Sequence, residues 1–179
     1  MASTNSSKKD AASESTEATE APAGFTLGLA LVDAVPVLEF GATMLVVAGR
    51  LGSPVFAVGA VASALAGAGK VAWKLVLALA GRDVPWLASQ FRYVMSAGFL
   101  LMVAGVVAAA VGGSLDLAAV AARAASGASG ACLAAGLVGM VAMGVMAAHL
   151  DRRNARHNWA EQLVNAAAQA AFLAAALLY

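Results

Sequence analysis

From Phe25 to Tyr179 the chain is a succession of long apolar runs, separated by short breaks that are hydrophilic or marked by glycine and proline. The hydrocarbon core of a bilayer takes about 20 helical residues to cross, within a range of about 17–25. Five runs reach that length, at about 25–49, 54–80, 86–111, 129–150 and 159–179. Two of the breaks, GRLGSP at 49–54 and GRDVP at 81–85, carry turn chemistry, and DRRNARHN at 151–158 is strongly polar. Run length, the Ala and Leu content and the lack of ten-residue alternating segments predict helices rather than barrel strands.

Two segments do not fit the spanning pattern. GGSLDLAAVAARAASGASG, residues 112–130, joins the third and fourth runs. Ser114 is expected there either to cap a short interfacial helix with Leu115, Leu117 and Val120 on one side, or to lie in a loose loop. Residues 1–24 are rich in Ser, Thr, Ala and Glu and have almost no large apolar side chain. Such a segment cannot bury enough surface to offset its ordering entropy, so a disordered tail is expected. Acidic residues precede the first apolar run, and that run is too long for an h-region, which argues against a signal peptide. The fold class is therefore all-α: a polytopic transmembrane helix bundle of about five spans over 25–179, behind a disordered tail.

Composition sharpens this. Hydrophobic residues make up 61% of the chain and charged ones 12%, with a mean hydropathy of +0.81. A soluble domain carries about 45–50% apolar and about 25% charged residues, so too little polar surface remains here to face water. The lipid bilayer is the first partner. A net charge of +1 and the lack of a basic stripe interleaved with aromatics exclude a nucleic-acid partner. With five spans, Lys8, Lys9, Arg82, Arg92, Arg152, Arg153 and Arg156 fall on one side and only Arg50 and Arg123 on the other. That bias places the N-terminus in the cytoplasm, in a plasma (inner) membrane. His149 and His157 flank the basic loop and add to that side. Tyr179 suits the far interface.

Polar residues inside the spans are few and share a depth. At about 1.5 Å per residue, Asp33 lies roughly 12 Å from the cytoplasmic end of its span, Lys74 about 9 Å and Lys70 about 15 Å. Arg92 sits at roughly 9 Å, and Asn165 and Gln169 at about 10 and 16 Å. Lys70 and Lys74 stack on one helix face, as do Glu161, Asn165 and Gln169. A charge at the bilayer centre costs about 2.5–3.5 kcal/mol on the insertion scale, so Asp33 and Glu39 are expected as counter-ions to the two lysines. Of the lysines, Lys70 is expected to be the stronger partner because it lies deeper. Asp33 and Glu39 are about 120° apart on an ideal helix, with Pro36 between them as a predicted kink. Glu39, at about 21 Å, lies deepest and lacks an obvious partner at its own depth. The ligand- or proton-binding candidates are thus Glu39, Asp33, Lys70, Lys74, Arg92, Asn165 and Gln169. A purely structural set of ion pairs, snorkelling cations and interhelical amides accounts for the same residues.

Other chemistry is excluded or unsupported. Cys132 is the only cysteine, which leaves no internal disulfide and no thiolate zinc site. GAGKVAW at 67–73 lacks the earlier Gly and the Ser or Thr after Lys that a phosphate-binding loop needs. No metal-ligand cluster, GxSxG elbow or Cys–His pairing is legible, so no metal or cofactor is expected and the balance falls against an enzyme. Small residues at four-residue intervals (Gly59, Ser63 and Gly67; Ala131, Ala135 and Gly139) allow close helix approach. Two readings follow. One is a small transporter or channel component that binds an ion, proton or small polar solute in its inner half. The other is a non-catalytic accessory or assembly subunit of a membrane complex. Five helices leave little room for a pathway, so a homo-oligomer or a partner subunit is expected.

Overall fold

The computed structural model describes residues 26–150 and 155–179. The expected disordered tail over 1–24 lies outside the described residues, as does 151–154 of the basic loop. The described chain forms six helices: α1 Leu27–Leu51, α2 Pro54–Ala80, α3 Pro85–Val111, α4 Leu117–Ala124, α5 Gly127–His149 and α6 Ala155–Leu178. All but α4 are long and apolar enough to cross a membrane. This is an integral membrane protein built as a helix bundle.

Local chemistry sets the helix ends. The Thr26 hydroxyl accepts from the Leu29 N–H at 3.3 Å to open α1, and the Ser53 hydroxyl accepts from the Phe56 N–H at 3.3 Å to open α2. Pro54 and Pro85 occupy first-turn positions, where a missing N–H costs nothing. α1 and α2 stop at Gly52 and Gly81, both left-handed with φ near 60°, whose N–H groups bond back to the Ala48 and Leu77 carbonyls. α1 runs through Pro36 as one helix. The helix in the 112–130 segment is real, but its cap is Asp116, which accepts from the Ala118 and Ala119 N–H groups at 2.9 and 3.0 Å. Ser114 instead donates to the Ala109 carbonyl at the end of α3. A carboxylate accepts from two amides at once, which the Ser114 hydroxyl does not do here.

Helix neighbours run in the order α3, α2, α1, α6, α5, with α4 lying lightly against α5. This row curls, because α1, α3, α5 and α6 line the same interior spaces. Close approaches hold it together. A Cβ on Gly105 would come within 2.6 Å of the Phe56 backbone nitrogen, and one on Gly139 within 2.6 Å of the Ala168 Cβ. Only glycine admits the α2–α3 and α5–α6 spacings at these points. Phe56, Ala60 and Met102 form a small buried cluster with Phe40, Met44 and Val47 beside it. Leu38, Leu100 and Val111 point outward instead, as lipid-facing positions must.

Candidate functional site

One cavity of about 280 Å³ lies between α1, α2, α3, α5 and α6. Its polar lining is Asp33, Ser63, Lys70, Asn165 and Gln169, set among Pro36, Phe40, Phe91 and Phe99. Each polar residue arrives by helical register. Lys70 is one heptad beyond Ser63, so both share a face of α2, and Asn165 and Gln169 are one turn apart on α6. Four of the seven sequence candidates, Asp33, Lys70, Asn165 and Gln169, therefore meet around a single space.

The electrostatics differ from the expectation in one respect. Lys74 makes the short ion pair, its Nζ 2.7 Å from Asp33 Oδ2, with both side chains more than nine-tenths buried. The ammonium of Lys70 lies over the Phe91 ring, 4.8 Å from its centroid. Depth alone favours Lys70 as the partner. Antiparallel packing, with Val37 against Gly67 and Gly41 against Ala64, brings Asp33 level with residues 71–72, between the two lysines, and of the two it is Lys74 whose side chain is buried against it.

The remaining candidates stand apart. Arg92 is exposed, and its carbonyl accepts from the Ser96 hydroxyl at 2.7 Å. Glu39 is half-buried and is not part of this cavity's lining. Its Oε2 is shielded from solvent without a hydrogen-bond partner among the described residues, and its carbonyl accepts from the Thr43 hydroxyl at 2.8 Å. The two carboxylates do not converge on the lysines, in keeping with their 120° separation.

Two polar residues escaped the sequence reading. Ser63 is fully buried, lines the cavity, and has no hydrogen-bond partner for its hydroxyl among the described residues. Gln162 is nine-tenths buried with its Oε1 likewise unmatched. The signal for Ser63 was its heptad relation to Lys70, which is masked when serine is read only as a small packing residue. Gln169 Nε2 approaches Met140 Sδ at 3.9 Å, a weak interaction that leaves most of the amide's capacity open to the cavity.

A second cavity, about 610 Å³, continues toward the opposite end of the bundle and shares Phe40, Phe99, Met140 and Gln169 with the first. The Phe40 and Phe99 rings are 6.0 Å apart between centroids at the junction. Chemically, the first cavity offers a hydroxyl, two amides, a carboxylate already paired, and an ammonium beside an aromatic face. That is a binding inventory: no nucleophile with an adjacent base is present among its lining residues. No protein-family model, curated protein or solved structure matches this chain.

Proposed function

We propose that this membrane protein is a small transporter or channel component that binds a small polar solute in the inner-half cavity. The carrying observation is the convergence of Ser63, Lys70, Asn165 and Gln169 on one partly open space beside a buried Asp33–Lys74 pair. Ionisable groups within a membrane span are costly and mark solute or ion paths when they line a cavity. The Lys70 ammonium, a cation in the lining, favours a solute that carries negative charge. Asn165, Gln169 and the Ser63 hydroxyl supply the remaining hydrogen bonds. The reading includes a plasma-membrane location with the N-terminus and this cavity on the cytoplasmic side, as the basic loops favour.

A second reading rests on its own observation. A short, buried ion pair such as Asp33–Lys74 is also how an assembly subunit ties two helices together. Of the five spans, α5 has the smallest share of its apolar window buried inside the chain, 11% against 39% for α2, leaving a face for lipid or a partner subunit. Flux into proteoliposomes separates the readings. Uptake of chloride, acetate and phosphate is compared with that of potassium, for the wild type and for Lys70→Met. Selective anion uptake that falls at least tenfold in Lys70→Met supports the transporter reading. Uptake equal to protein-free vesicles across the panel removes it and leaves the accessory subunit.

A further inference from the structure

The larger cavity has a different character from the site above. Its walls are Val47, Val106, Leu117, Leu133 and Phe172. Two hydroxyls in the lining are already engaged, Thr43 with the Glu39 carbonyl and Ser129 with the Ala175 carbonyl at 3.0 Å. Below the rim this leaves Gln169, at the deep end, as the polar group facing in. Its volume of about 610 Å³ falls within the range of about 300–1,000 Å³ typical of small-molecule sites. From Tyr179 down to Gln169 the wall of α6 descends about 15 Å, half of a hydrocarbon core of about 30 Å. The cavity is thus one leaflet deep and apolar along that depth.

Its mouth is charged. Arg50, in the last turn of α1, lines it, and Arg123, in the last turn of α4, stands outside the lining beside Tyr179. Both guanidinium carbons lie 5.5 Å from the centroid of the Tyr179 ring, so they cannot be farther apart than twice that distance. Arg50 also donates to the Ala176 carbonyl. Among the described residues neither arginine has a carboxylate partner. We infer that this cavity is a lipid site: it takes one acyl chain of an anionic phospholipid, with the headgroup phosphate held between Arg50 and Arg123.

Each part of that ligand has its counterpart. Guanidinium groups match phosphate oxygens in geometry and charge, and a tyrosine at the rim sits where headgroups begin. The chain extends down the apolar wall and stops at Phe40 and Phe99, where the polar cavity begins. A second copy of the protein fits the mouth less well. The segments at this end, 49–54, 112–130 and 175–179, hold one acidic residue, Asp116, and its carboxylate already caps α4.

The experiment uses the full chain, purified in a maltoside detergent and stripped of lipid, with dioleoyl phosphatidylglycerol or phosphatidylcholine added back. Native mass spectrometry counts bound lipids, and tryptophan fluorescence follows thermal unfolding. One phosphatidylglycerol per chain is expected, bound about tenfold or more tightly than phosphatidylcholine, which offers the same phosphate but sets its choline cation against the two arginines. Arg50→Gln with Arg123→Gln should abolish that preference while leaving chain binding, and Val106→Trp, which fills the cavity, should abolish both. The comparison of the two lipids on the wild type needs no variant. Equal binding of both lipids by the wild type overturns the headgroup seat, and undiminished binding in a folded Val106→Trp overturns the chain site. A lipid-free dimer that Val106→Trp converts to monomers would assign the cavity to a second copy instead.

Discussion

Replacing Lys74 by Met tests the arrangement around the smaller cavity most directly. The ammonium is 2.7 Å from Asp33, and the two side chains are 9% and 8% exposed, so water cannot take over when one partner is removed. At an effective dielectric near 20, the Coulomb attraction at this distance is about 6 kcal/mol, opposed by the desolvation of both ions. Removing one member of a buried pair leaves the other uncompensated, at a typical cost of about 3–5 kcal/mol. An unpaired aspartate inside a membrane helix costs up to about 2.5–3.5 kcal/mol, the value at the helix centre, and Asp33 lies nearer one end. Lys74→Met should therefore lower stability by about 3 kcal/mol, and Asp33→Leu by a comparable amount. The double variant carries neither charge and should regain most of the loss. Reversible denaturation in mixed micelles, followed by tryptophan fluorescence, gives the four corners of the cycle. A coupling below about 0.5 kcal/mol would mean additive sites and refute the pair as a stabilising unit. The same assay ranks the lysines: Lys74→Met should cost more than Lys70→Met, the reverse of the order that depth alone predicts.

Further predictions concern other parts of the molecule. Gly105→Val drives a side chain into the Phe56 backbone and should destabilise the bundle by about 1–3 kcal/mol, read in the same denaturation assay. Asp116→Ala removes the cap of α4 at a cost of about 1 kcal/mol, which hydrogen exchange should show as faster exchange confined to residues 117–124. Glu39→Gln keeps the shape of a group whose Oε2 is unmatched; if Glu39 couples protons to solute movement, pH-dependent flux should vanish while folding is unchanged. Unaltered flux and pH dependence would remove Glu39 from the mechanism. Single cysteines at Ser3 and Ser126, in a Cys132→Ala background, test the orientation. An impermeant thiol reagent on intact cells should label only Ser126→Cys, and labelling of Ser3→Cys reverses the threading.

The spans were legible because a membrane helix is specified by length and hydropathy, both of which are local. Breaks were legible where turn residues sit next to apolar runs, as in GRLGSP and GRDVP. The cap of α4 was misassigned because Ser114 and Asp116 are both competent N-caps, and only the path of the chain after Gly113 decides between them. Depth placed Asp33, Lys70, Asn165 and Gln169 at one level, since depth needs only residue counting. Azimuth was not legible. Which lysine meets Asp33 depends on how α1 and α2 are rotated and staggered, and that is set by contacts such as Val37 against Gly67. For the same reason the sequence could not show Arg92 turning outward, or Arg50 and Arg123 gathering from two separate helices on Tyr179.

The two cavities impose a constraint on any solute that crosses. Polar lining stops where Phe40, Phe99, Met140 and Gln169 border both spaces, and beyond it the walls are apolar for the depth of a leaflet. A charged solute bound beside Lys70 gains hydrogen bonds there and would lose them above the aromatic junction, an unfavourable step without water or a counter-charge. Passage then requires the Phe40 and Phe99 rings to part and the upper space to hydrate, and a lipid chain seated in that space would oppose both. Under these two proposals the lipid holds the path closed, and the solute reaches its site from the inner side. Narrowing or enlarging the junction therefore discriminates between a conduit and a binding chamber. Phe99→Ala removes the ring facing Phe40 and should raise anion flux in proteoliposomes if the junction limits passage. Phosphatidylglycerol should then suppress flux less than in the wild type, because the chain no longer ends against a closed pair of rings. Flux unchanged by Phe99→Ala would show that the junction does not limit passage.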